Sequence, residues 1–188
     1  TVKELKKYFD PKKQKYPQLY ALFGFSNYDT SFIQEIEVII GPDGKILPNA
    51  SPELVRIRKA LQEQSNQLRQ LLEGILRNAR NSGWTDSREI TFRNERLVIP
   101  INTDFKGKIK GIIQDVSGSG QTVYIEPLES LQLNNEIREL NIREQNEIFR
   151  LLFELSEKLR PNIPEYEKFL TLTTTLDLIR AKAKLAIE

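Results

Sequence analysis

Leu54, Ile57, Leu61, Gln64, Leu68, Leu71 and Ile75 recur at intervals of three and four residues, and this pattern restricts the fold more than any other feature of the chain. The spacing lays them along one narrow stripe of a long helix. Ser51-Pro-Glu-Leu54 opens that helix. A serine hydroxyl accepts from an unpaired N–H of the first turn, and proline at the first helical position has no N–H to leave unsatisfied. Residues 51–82 then form a rod about 48 Å long at 1.5 Å per residue. Such a stripe makes no core by itself, so the rod needs a partner. Residues 128–159 supply it: Leu133, Ile137 and Leu140 begin a matching stripe, Glu144 interrupts it, and Ile148, Leu152, Leu155 and Leu159 continue it.

Between the rods, segments 89–92, 96–101, 108–116 and 122–125 are rich in β-branched and aromatic side chains, as strands require. Arg93-Asn-Glu-Arg96, Asp104-Phe-Lys-Gly107 and Ser117-Gly-Ser-Gly120 separate them. The expectation is a small antiparallel meander at the end of a two-helix stalk whose halves run antiparallel, because an even number of strands returns the chain near its entry. The fold class is therefore mainly α with a small β insertion: a helical core, two long coiled-coil-like lever helices and an antiparallel β tip. The expected divisions are 1–50 with 160–188 for the core, 51–83 with 127–159 for the levers, and 84–126 for the tip.

Before the first rod, short helices are expected over 2–9, 18–23 and 31–40, the last behind Thr30 or Ser31 as cap. Gly41-Pro-Asp-Gly-Lys-Ile-Leu47 reads as a tight turn. Lys3, Lys6, Lys7, Lys12, Lys13 and Lys15 against Glu4 and Asp10 give residues 1–20 a net charge of +4, which a solvated surface explains. After the second rod, Pro161 and Pro164 break the helix. Residues 166–187 then make a further amphipathic helix through Phe169, Leu170, Leu176, Ile179, Ala183 and Leu185, expected to pack with the first fifty residues.

Composition narrows the chemistry. At 188 residues and 39% hydrophobic content, the chain can bury a core as one domain or two. The net charge of +2 gives no bulk attraction to nucleic acid or to acidic lipid, so electrostatic binding must come from local clusters. Without cysteine there are no disulfides or thiolate sites, which suits a cytoplasmic setting. Without histidine the usual neutral-pH proton carrier is missing. The chain begins at Thr1 and has no methionine, and so reads as a piece of a longer protein. No run approaches the ~20 apolar residues of a membrane span.

Val116-Ser-Gly-Ser-Gly-Gln-Thr-Val-Tyr-Ile-Glu-Pro127 invites comparison with a phosphate-binding loop, but it has no Gly-Lys-Ser/Thr. Gly107-Lys108 is followed by Ile109 and fails too, and a dinucleotide fingerprint would need a helix after Gly120. Gly118 and Gly120 are instead expected to supply positive φ to a hairpin. Glu136, Glu139, Glu144 and Glu147 lie among arginines and read as solvent-facing charge. No catalytic, cofactor-binding or metal-binding set emerges. One cluster remains. Lys106, Lys108 and Lys110 alternate with Gly107 and Ile109, so on a strand their ammonium groups share one face, while Arg93 and Arg96 flank a nearby turn. Such a row suits phosphate contact, which needs no base recognition. Residues 84–127 nonetheless carry six basic and six acidic groups, and lysines that guard a sheet edge account for the row equally well.

Ala50-Ser-Pro-Glu-Leu-Val-Arg-Ile-Arg58, Leu97-Val-Ile-Pro100, the Ser117–Pro127 stretch, Leu133-Asn-Asn-Glu-Ile-Arg-Glu-Leu140 and Leu176-Asp-Leu-Ile-Arg-Ala-Lys-Ala183 resemble, in this order, the bacterial MutS type two family. That branch lacks the mismatch-reading amino-terminal domain. The resemblance covers nearly the whole chain and is weakest before Ile33. It implies a helical core, two lever helices and a β clamp at their tip, with ATP and Mg2+ bound in a domain following Glu188 and none here. It further implies a homodimeric full-length ATPase, commonly carrying a nuclease-like Smr domain, tied to suppression of recombination and rescue of stalled ribosomes. The clamp's implied partner is DNA or the ribosome. The alternative reading is a stalk-and-tip scaffold that binds only protein.

Overall fold

A computed structural model describes residues 2–22 and 31–187, the side chains of Val2, Lys3 and Ser31 excepted. The chain divides into two compact units, residues 1–38 with 151–188 and residues 39–150. The first is helical, with α1 Val2–Phe9, α2 Pro17–Leu22, α3 Ser31–Ile39, the end of α5 Leu131–Leu159, and α6 Ile163–Leu185. Lys158 Nζ donates to Glu35 at 2.6 Å and Tyr20 donates to Asp10 at 3.2 Å. The expected positions of Phe23 at a helix end and Thr30 as a cap lie outside the described residues. Residues 160–162 form one turn of 3-10 helix, and α6 starts at Ile163, earlier than expected. Pro164 does not break this helix but sits in its first turn, where a missing N–H costs nothing. The expected amphipathic stripe is not realised: no described residue of α6 is buried, and Leu170, Leu178 and Leu185 are 69%, 54% and 75% exposed. At 100° per residue the expected stripe positions Phe169, Leu170, Leu176, Ile179, Ala183 and Leu185 spread over more than half of the helix circumference rather than gathering on one face.

The second unit opens with a tight turn in which Ile40 bridges Ile46, and Gly44 adopts φ of 76°, a value suited to glycine. The long helix α4 Pro52–Asn81 follows. Ser51 caps it, accepting from Leu54 N at 3.0 Å, and the same hydroxyl donates to Glu147 at 2.7 Å. At the far end Gly83, at φ 73°, turns the chain so that Trp84 N reaches Ala79 O and Gly83 N reaches Arg80 O. These are the two bonds of a Schellman motif. Within this unit α5 runs antiparallel to α4. The start of α4 meets a late part of α5 through Ser51–Glu147 and Arg58–Glu144, while Leu68, Leu72 and Leu76 share a core with Leu133 and Ile137.

The packed faces differ from the expected stripes in register. On α4, Leu54, Ile57, Leu68, Leu72, Leu76 and Ala79 are buried, and Leu71 and Ile75 only partly. After Leu68 the spacing is four, four and three, because α4 turns its face towards a sheet rather than holding a heptad seam. Gln64 lies on the seam, with its Oε1 enclosed and without a hydrogen-bond partner among the described residues. On α5 the inward positions are Ile137, Leu140, Glu144, Glu147, Leu151 and Leu155, whereas Leu152 and Leu159 are each 38% exposed. Glu144 and Glu147 are therefore not solvent-facing charge. They occupy seam positions, because Arg58 and Ser51 of α4 supply the donors a buried carboxylate needs.

Between the helices, β1 Thr91–Arg93, β2 Arg96–Asn102, β3 Gly111–Val116 and β4 Thr122–Pro127 form one antiparallel sheet in the order β1-β2-β4-β3. It is not a meander, since β4 inserts between β2 and β3 and leaves β3 on an edge. The β1–β2 turn places Asn94 at φ 49° and Glu95 at φ 62°, as a two-residue hairpin of type I′ requires. In the β3–β4 turn only Gly120 has positive φ, at 72°; Gly118 does not, contrary to expectation. Ile99, Ile101, Val123 and Ile125 close one face of the sheet over Leu68, Leu72, Leu76 and Ala79 of α4. Four side chains from central strands thus complete the core that α4 cannot make alone.

Candidate nucleic-acid interface

Of the five basic residues singled out, two are engaged inside the protein. Arg96 pairs with Glu126, which is fully buried, and donates to Asn135 Oδ1 at 2.7 Å. Glu126 also accepts from Gln114 at 2.6 Å and from Asn134 at 3.0 Å. Asn134 continues the β2 ladder from the helix side: its Oδ1 accepts from Leu97 N and its Nδ2 donates to Leu97 O, both at 3.2 Å. One carboxylate thus ties β2, β3, β4 and α5 together, and both Glu126 oxygens and both ends of the Asn134 amide have partners. Arg93 pairs with Asp115 at 3.2 Å and lies over the Tyr124 ring at 4.5 Å. It is still partly exposed.

The three lysines are not on a strand. Lys106 and Lys108 belong to a 3-10 segment, Thr103–Lys108, and Lys110 lies in the link before β3. The shared face expected from alternation does not exist, because Phe105 and Ile109 turn towards the core and hold the segment in tight turns. All three lysines are exposed, and none has an acid partner among the described residues. Lys108 and Lys110 line one cleft of about 320 Å3 with Asn78, Trp84, Ile109 and Glu129. Neither Lys106 nor either candidate arginine lines it.

A second basic feature escaped the sequence reading. Arg77 and Arg80 of α4, with Arg88 from the link to β1, border a recess of about 220 Å3 together with Glu73 and Leu76. The spacing of Arg77 and Arg80 was visible; the return of the chain that brings Arg88 to them was not. Elsewhere, Arg150 and Ser51 hydrogen bonds hold the Glu147 carboxyl at about 2, well under its ordinary 4.5, although burial acts the other way. Among the described residues no helix is long and apolar enough to cross a membrane.

No family model matches the chain. Individual proteins do. The chain is 37% identical over 155 residues to a protein named Endonuclease MutS2 from Ruminiclostridium cellulolyticum, covering 82% of this chain and 20% of that one. It is 34% identical over 191 residues to a protein of the same name from Enterococcus faecalis, covering 100% of this chain and 24% of that one. A third, from Alkaliphilus metalliredigens, is 32% identical over 190 residues with 100% and 24% covered. The chain therefore spans about a fifth to a quarter of the length of the curated relatives it matches. Agreement at this level along the whole chain, and not at one motif, carries the conclusion that the chain belongs to the MutS2 family.

Proposed function

We propose that α4 and α5 act as levers and the four-stranded sheet as a clamp, which holds DNA or ribosomal RNA by its phosphates. The observation that carries this reading is the set Lys106, Lys108 and Lys110, exposed and without acid partners among the described residues, of which Lys108 and Lys110 border a cleft beside the end of α4. Arg93 adds its exposed edge. Arg96 acts chiefly through Glu126, fixing the sheet on α5. In this reading the levers transmit the state of an ATPase domain, with its ATP and Mg2+, in a homodimeric cytoplasmic protein. The roles would be suppression of recombination, DNA repair or rescue of stalled ribosomes. The relatives' name, Endonuclease MutS2, makes nuclease activity of the whole protein part of the same proposal.

A second reading rests on β3, an edge strand with Ile112, Ile113 and Val116 at 47%, 47% and 48% exposure. An open apolar edge can pair with another protein's strand. Salt separates the two, because phosphate contacts release counterions and apolar contacts do not. Replacing all three lysines by glutamine should flatten the slope of log affinity against log salt by about 0.9 per lost contact on duplex DNA. An unchanged slope in a folded variant removes the lysines from the interface. Binding that is insensitive to salt favours the edge strand.

A further inference from the structure

Three guanidinium groups gather at the end of α4, none within ion-pair distance of a carboxylate among the described residues. Arg77 and Arg80 stand three residues apart on one helix face, and Arg88 arrives after the turn at Gly83. In the same unit, Arg56, Arg58, Arg93, Arg96, Arg138 and Arg150 each have an acid oxygen within 4.0 Å, whereas Arg69 and Arg143 have none among the described residues but do not line the recess of Arg77, Arg80 and Arg88. Arg77, Arg80 and Arg88 make no such pair among the described residues, and neither does Glu73 on the rim of their recess. Like charges three apart on a helix repel. The negative end of the helix dipole offsets part of this for Arg80, but Arg88 lies outside the helix and gains little from it. Folding alone thus gives no reason for the third arginine to join the other two.

We propose that Arg77, Arg80 and Arg88 form a phosphate-binding recess. Guanidinium groups are planar forks that match phosphate oxygens in pairs, which lysine cannot reproduce. The recess, at about 220 Å3, exceeds several times the ~30 Å3 share of one water and admits a tetrahedral oxyanion. Buried Leu76 forms part of its wall and lowers the local polarizability, which strengthens charge-assisted bonds there. The phosphate belongs either to a nucleic-acid strand or to a free phosphate compound. The site goes beyond the lysine reading above, since it uses other residues and stands without them.

The test is a titration of the isotopically labelled 188-residue chain with inorganic phosphate, at ionic strength held constant with chloride, following the arginine Nε–Hε resonances. The expected result is a shared, saturating shift for Arg77, Arg80 and Arg88, and in the Arg88→Gln variant the remaining Arg77 and Arg80 resonances should lose it. Arg88→Lys, which keeps the charge but not the planar fork, should weaken the shift at Arg77 and Arg80 without abolishing it. Glu73→Gln should strengthen it several-fold by removing a repelling carboxylate. Linear, unsaturated shifts, or equal shifts on chloride alone, overturn the proposal. A second arm adds duplex DNA: a response of the same signals at lower concentration assigns the phosphate to a strand, whereas a response to inorganic phosphate only assigns it to a free compound. Failure of the lysine reading appears in the salt slope and leaves these resonances untouched, so the two outcomes are distinguishable.

Discussion

Arg96 and Glu126, 30 residues apart in the chain, form an ion pair in which the carboxylate is fully buried and the arginine 18% exposed. Arg93, three residues before Arg96, pairs instead with Asp115, which is 46% exposed. Two arginines flanking one turn therefore have different physical roles. A buried carboxylate deprived of its cation is an uncompensated charge, whereas an exposed pair is worth little.

Arg96→Met should lower unfolding stability by about 3–5 kcal/mol, and Arg93→Met by about 0–1 kcal/mol. Urea denaturation of the two variants measures both. Equal effects would mean that Glu126 is held by Gln114 and Asn134 alone.

The face of α4 predicts a second contrast. Leu72 is fully buried in the core with Ile99 and Ile125, while Leu71 is only partly covered. Leu72→Ala should cost about 2–5 kcal/mol, and Leu71→Ala clearly less, as read from melting temperatures. The reverse order would restore a heptad seam through Leu71.

Gly111 opens β3 opposite Pro127, where a Cβ would press into the Glu126 carbonyl oxygen and lie 2.7 Å from Ile125 Cγ2. Its φ is not positive, so close approach and not backbone conformation requires the glycine. Gly111→Ala should displace β3 and lower the melting temperature. Gly118→Ala, with open space around its Cβ, should leave it nearly unchanged.

Glu147 sets a pH dependence. Its folded-state value, about 2, lies below its ordinary 4.5. Its contribution to stability is therefore complete above about pH 4.5 and is lost as pH falls through about 2. Glu147→Gln should be less stable than the parent at neutral pH, and the gap should close across that acid window. Urea midpoints at several pH values report it, and a gap independent of pH would remove Glu147 as its source.

What the sequence determined by itself was local. Ser51 and Pro52 mark the start of α4, Gly44 and the Asn94-Glu95 pair mark turns, and β-branched and aromatic runs place the four strands, the third beginning at Gly111 and not at Lys108, because each signal lies within a few residues of the structure it specifies. The antiparallel return of α5 also followed, since two long rods joined by a short sheet have one compact arrangement. The tertiary structure decided the rest. The strand order β1-β2-β4-β3, the inward Glu144 and Glu147, and the use of Arg96 as an anchor all depend on partners 20 to 96 residues away. No local period encodes such partners. The lysines show the limit most plainly: their alternation was compatible with a strand, but Phe105 and Ile109 gain more by burial against the core, and that contact folds the segment into 3-10 turns.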